Sequence, residues 1–171
     1  MTISYTIGDA TTPVGEGVKL ILHCCNDSGF WNKGFVAALA HSWPMARAAY
    51  LAWYRAKPTQ AVESGPLALG QVQFVQVSQR IWVANLVGQH GIRSLSGQPP
   101  IRYNAIRIGL RRVARFCAEK SATVHMPRMG SGLAGGDWAV IEQLLHTELE
   151  SFDVKVYDLE PDTSQCFSQS I

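Results

Sequence analysis

The sequence predicts a three-layer α/β/α sandwich, with helices packed on both faces of a mixed, centrally parallel sheet. Three observations lead there. Strand-like and helix-like segments alternate along the chain, which is the pattern of crossover connections. The Val18–Cys25 run (VKLILHCC) is apolar at nearly every position, as a strand covered on both faces must be. Turn-forming clusters follow directly on strand-like runs at Gly8-Asp9, Asn26-Asp27 and Arg128, and such exits at strand carboxyl ends are where open α/β sheets bind ligands.

Taken in order, Ile3 to Ile7 reads as a short edge strand, ended by the turn chemistry of Asp9-Ala10-Thr11-Thr12-Pro13. The buried strand Val18 to Cys25 breaks at Asn26-Asp27-Ser28-Gly29, residues that favour a loop. A helix is expected from Asn32 to about His41, with Phe35, Ala38 and Leu39 on one side. A second is expected to take Pro44 in its first turn and Met45 to Arg55 as its body. Lys57 to Pro66 is polar and loop-like. Leu69 to Gln79 and Ile81 to Val87, rich in Val, Phe and Trp, read as a hairpin. Gly88 to Pro100 reads as a long ordered loop or lid. Arg102 to Lys120 carries Ile106, Leu110, Val113 and Cys117 as one apolar stripe at helical spacing. Thr123 to Met126 is a short strand. Asp137 is a good N-cap for a helix from Trp138 to about Glu150, with Ile141, Leu144, Leu145 and Glu148 or Leu149 turned inward. Val154 to Leu159 is the last strand, and residues 160–171 read as a polar tail.

A chain of 171 residues is expected to form one domain. At 47% hydrophobic and 16% charged it lies far from the disordered class. Fifteen Lys and Arg against 13 Asp and Glu leave a net charge of +2, so no global field favours nucleic acid or membrane. Cys24, Cys25, Cys117 and Cys166 have no zinc-site spacing and are expected to be reduced thiols of a cytosolic protein. Neither a signal peptide nor a run of the ~20 apolar residues of a membrane span is expected.

The strongest chemical signal is Pro127 to Asp137 (PRMGSGLAGGD). Glycines without Cβ let backbone N–H groups approach an anion, and the adjoining helix start adds a positive dipole end. Gly130, Ser131, Gly132, Leu133, Ala134 and Gly135 therefore suit a diphosphate, although a flexible strand-to-helix turn is the competing reading. The Lys-Ser/Thr of a P-loop is missing. Asn26, Asp27 and Ser28 offer an amide, a carboxylate and a hydroxyl that could grip sugar hydroxyls, or could simply form an Asx turn. Asp9 could accept from an exocyclic amine such as that of adenine, or stabilise its own loop. Arg107, Arg111 and Arg115, with Arg112 beside them, form a basic stripe best read as a solvated helix face. His23 and His90 are candidate acid–base groups by their intrinsic pKa. His23, inside an apolar strand, reads more readily as a hydrogen-bonded core residue, which makes His90 the better catalytic candidate.

These loops, in this order, resemble the macrodomain family. Gly8-Asp9-Ala10-Thr11 looks like its adenine loop, and His23-Cys24-Cys25-Asn26 stands where the family has Asn-Ala-Ala-Asn. Asn32-Lys33-Gly34-Phe35 is similar to the stretch that wraps the distal ribose, and Met126 through Gly136 to the diphosphate loop. The resemblance spans about Tyr5 to Leu159 and implies a macrodomain over residues 1–159. Its details are closest to the branch with ADP-ribose 1''-phosphate phosphatases and terminal ADP-ribose protein glycohydrolases. It departs from those glycohydrolases at Ala134, where they carry an aspartate, and in lacking their lysine near Leu86 to His90.

The expectation is a protein that binds ADP-ribose or a derivative through Asp9, Ala10, Asn26, Lys33, Gly34, Phe35 and Gly130 to Gly135. It would hydrolyse a bond at the distal ribose with Asn26, Asp27, His23 or His90, or act as a reader without chemistry. No metal or other cofactor is expected, and the chain is expected to act as a monomer.

Overall fold

The computed structural model describes residues 2–56 and 67–160. Its elements are Ile3–Ile7 (β1), Val18–Asn26 (β2), Phe35–Ser42 (α1), Pro44–Arg55 (α2), Val72–Gln76 (β3), Ile81–Gln89 (β4), Tyr103–Lys120 (α3), Ala122–Pro127 (β5), Trp138–Glu148 (α4) and Val154–Asp158 (β6). The loop expected at 57–66, most of the expected tail and Cys166 lie outside the described residues.

The strands form one sheet in the order β1-β6-β5-β2-β4-β3. Every neighbouring pair is parallel except β3 with β4, which form the antiparallel hairpin at one edge. The other edge is β1, as expected. In β2 the pleat sends Leu20 and Leu22 into one apolar layer and Ile21 and Cys25 into another, all of them buried. That two-sided burial is why the segment is apolar throughout.

The first layer packs α3 and α4 on the sheet. Ile106, Leu110, Val113 and Cys117 of α3 meet Ile141, Leu145 and Leu149 there, and each is essentially inaccessible to solvent. The second layer packs α1 and α2 over β2 and β4 around Leu39, Ala46, Tyr50, Val83 and Val87. The three-layer sandwich is therefore present.

Helix α1 differs from expectation. It starts at Phe35, not Asn32, because Gly34 adopts φ 74° and ψ −147°, where no helix can continue. Its inward side is Phe35, Val36, Leu39 and Ala40, while Ala38 faces solvent. At the other end of the sequence, Asp137 caps α4 by accepting from Ala139 N–H at 2.8 Å. Residues 90–102 fold back on β4, with His90 N–H donating to Pro100 O and Arg102 N–H to Gly88 O. Among the described residues no helix is long and apolar enough to cross a membrane.

Candidate functional site

Because β1, β6, β5, β2 and β4 run the same way, their carboxyl ends share one edge of the sheet. A cleft opens there in two joined lobes. The inner lobe, about 250 Å³, is lined by His23, Lys33, Gly34, Phe35, Arg128, Gly130, Gly132, Leu133 and Ala134 among others. The outer lobe, about 440 Å³, is lined by Asn26, Phe30, Asn32, Lys33, Ile92, Arg93 and Leu133 among others. Cys24, Lys33, Val36, Gln89 and Leu133 border both.

The glycine loop forms one wall. Its shape is held by Gly135 N–H to Gly132 O and Gly136 N–H to Gly130 O. Gly130 and Gly136 are packed so tightly that a Cβ would fall 2.7 Å from Ile101 and 2.6 Å from the Gly130 carbonyl, respectively. Gly132 is different: a Cβ there meets nothing within 4 Å, so the space beside it is open. Opposite stands Gly34, whose added Cβ would come within 3.6 Å of the Leu133 side chain. The two loops thus face each other across a narrow gap in which backbone can meet a ligand closely.

Asn26 ends β2. Its Oδ1 accepts from Ser28 N–H, Phe30 N–H and the Tyr50 hydroxyl, while its Nδ2 donates to Phe30 O. Asp27 turns the other way. Its Oδ1 accepts from Gly91 N–H at 2.8 Å and its Oδ2 from His90 Nδ1 at 2.7 Å. Partial burial pushes the Asp27 carboxyl up, but the Gly91 and His90 hydrogen bonds outweigh it and hold it below the usual carboxylate range. His90 Nδ1 is committed to Asp27, and among the described residues Nε2 has no side-chain or backbone partner. The pair borders neither lobe, but it lies on the two loops whose neighbouring residues Asn26, Phe30, Ile92 and Arg93 line the outer one.

His23 sits on the floor of the inner lobe and is buried. Its Nε2–H donates to Asn85 Oδ1 at 2.6 Å, which leaves Nδ1 as a buried acceptor without a protein partner. Burial pushes its pKa down to about 4, so the ring is neutral at physiological pH.

Asp9, Ala10, Ser131 and Gly135 border neither lobe. Asp9 is exposed and its Oδ1 accepts from Thr11 N–H at 2.8 Å. Ala10 is buried beneath that turn, which is tied to the α1–α2 corner by Trp43 Nε1–H donating to Thr11 O. Ser131 Oγ donates back to Arg128 O.

No known family profile matches the chain. A Streptomyces coelicolor macrodomain protein is 48% identical, with a TM-score of 0.77 over 92% of this chain and 99% of that one. This chain belongs to the macrodomain family. A Bacteroides thetaiotaomicron protein of unknown function shares 50% identity and a TM-score of 0.85, over 93% of this macrodomain and 99% of its own chain. The mouse chromodomain-helicase-DNA-binding protein 1-like is 30% identical over 172 residues, but this macrodomain spans only 17% of that protein's length. The ADP-ribose 1''-phosphate phosphatase of Lodderomyces elongisporus is 26% identical over 94% of this macrodomain and 100% of its own length.

Several residues lining the cleft carried no assigned role in the sequence reading. Gln89 borders it as the last residue of β4, and Ile92 and Arg93 lie on the segment 90–102 that folds back on β4, a pairing with no local signature. Arg128 stood in the Met126 to Gly136 stretch without a role. It lines the inner lobe, is held by Asp158 at 2.6 and 2.9 Å, and lies over the Tyr5 and Trp138 rings.

Proposed function

We propose that this macrodomain binds ADP-ribose or a derivative and hydrolyses a bond at the distal ribose, in ADP-ribose 1''-phosphate or an ADP-ribosyl-protein ester. The observation that carries the reading is the pair of backbone walls at Gly34 and Gly130 to Gly136, facing each other at the carboxyl ends of parallel strands. The open space at Gly132 suits a diphosphate bound by N–H groups at the start of α4. Full-length similarity to a protein named as an ADP-ribose 1''-phosphate phosphatase supports the same ligand class and the branch indicated by the sequence.

In this reading the exposed Asp9 and the adjoining Ala10 hold the adenine, and Gly130 to Gly135 hold the diphosphate. Lys33, Gly34 and Phe35 close over the distal ribose. Asn26 fixes the end of β2 against it. Asp27 orients His90, whose free Nε2 takes a proton from the attacking water, and His23 offers its unpartnered Nδ1 to a ligand hydroxyl. The working unit is residues 1–159, a cytosolic monomer with residues 160–171 as its tail, and nucleic acid is not its ligand.

A reader without chemistry is the second reading. What favours it is that among the described residues no carboxylate lines either lobe and Ala134 brings none. Incubation with ADP-ribose 1''-phosphate and with ADP-ribosylated protein separates the two. Hydrolysis predicts release of phosphate or free ADP-ribose, reduced at least ~100-fold in His90→Ala with ADP-ribose binding retained. Tight binding with no release from either substrate makes the protein a reader.

A further inference from the structure

The outer lobe holds a charge arrangement that the binding of ADP-ribose alone does not require. Lys33 enters it from the loop before α1, and Arg93 enters from the loop after β4. Both are exposed, and among the described residues neither makes an ion pair or a side-chain hydrogen bond. Among the described residues no carboxylate lines this lobe. The nearest loop carboxylate in sequence, Asp27, accepts instead from Gly91 N–H, His90 and Ser28 Oγ. Two cations of like charge therefore line one partly enclosed space, and among the described residues no carboxylate lines it to offset them. An anion placed between them would gain from both, more than in open water because the lobe is walled by Phe30, Val36, Ile92 and Leu133.

This inference rests on the functional reading given above, in which Gly130 to Gly135 hold the diphosphate and Lys33, which borders both lobes, closes over the distal ribose. Whatever is attached to that ribose then projects into the outer lobe. We propose that Lys33 and Arg93 are specificity-determining residues that select substrates whose distal ribose carries a dianionic phosphoryl group over those carrying a neutral acyl ester. Lys33 gives a mobile point charge, and Arg93 a planar fork that can meet two phosphate oxygens at once.

The test compares two probes on the same protein, ADP-ribose and ADP-ribose 1''-phosphate. Each competes with a fluorescent ADP-ribose analogue, read before turnover. The ratio of their affinities cancels any general loss of binding. The wild type should favour the phosphorylated probe by roughly tenfold or more, and the preference should fall as ionic strength rises. Arg93→Met should cut the ratio severalfold, and Lys33→Met with Arg93→Met should bring it to about one. Arg107→Met, on the far side of α3, should leave the ratio at its wild-type value. A wild-type ratio near one, or a ratio untouched in the double variant, overturns the inference while leaving ADP-ribose binding in place. If the wild type binds neither probe, the functional reading itself fails and this inference falls with it.

Discussion

At the scale of single residues, Asn26 carries a larger structural duty than its type suggests. Three donors converge on its Oδ1, and the Tyr50 hydroxyl also reaches its backbone carbonyl at 2.7 Å. Removing the side chain leaves the Ser28 and Phe30 N–H groups without their acceptor, while the Tyr50 hydroxyl keeps the Asn26 backbone carbonyl. Such losses cost roughly 1–3 kcal/mol, so Asn26→Ala should lower unfolding stability by about 2 kcal/mol in urea titration. A change under about 0.5 kcal/mol, the ordinary scatter of surface substitutions, would show that the amide does not organise the 26–30 loop. The sequence already indicated turn chemistry at Asn26-Asp27-Ser28-Gly29. It could not show which donors converge there, because Tyr50 comes from a helix 24 residues away.

At the scale of elements, the strands and long helices were legible wherever a period repeats. The apolar stripe of α3 lies wholly in the core, and β2 is apolar throughout because two layers cover it. The start of α1 was not legible, since the conformation of Gly34 depends on how the loop crosses the cleft. The fold-back of residues 90–102 was hidden for the same reason.

One consequence of the sheet is a pH dependence. His23 on β2 continues a polar row through Asn85 on β4 to Gln73 on β3. His125 on β5 bonds Thr123 and Tyr157. Burial pushes both histidines from 6.5 down to about 4, with Lys155 and Lys19 adding to the effect at His125. The unfolded chain therefore binds more protons than the native one between pH 6.5 and 4. Stability present at pH 7 should fall through that window, with His23 alone contributing up to about 3 kcal/mol. Asp27, held below its usual value, would add loss only at lower pH. Urea midpoints measured from pH 7.5 to 4.5 should decline in the wild type. A flat profile would mean that the histidines are solvated in the native state.

At the scale of the whole molecule, the parallel order β1-β6-β5-β2-β4 brings loops separated by more than a hundred residues to one edge. Sequence motifs identified the loops, and the sheet explains why they meet. In the proposed reading, ligand recognition depends on backbone at Gly130 to Gly136 more than on any one side chain. Gly132 allows that claim to be tested cleanly. Its surroundings are open and its φ lies outside the left-handed region, so Gly132→Glu should leave the thermal midpoint unchanged. The new carboxylate would occupy and repel the diphosphate position. The decisive measurement is therefore calorimetric titration of ADP-ribose into wild type and Gly132→Glu. Saturable binding in the wild type, reduced beyond ~100-fold in the folded variant, is the expected result. Absence of binding in the wild type, or equal affinity in both, would contradict the account.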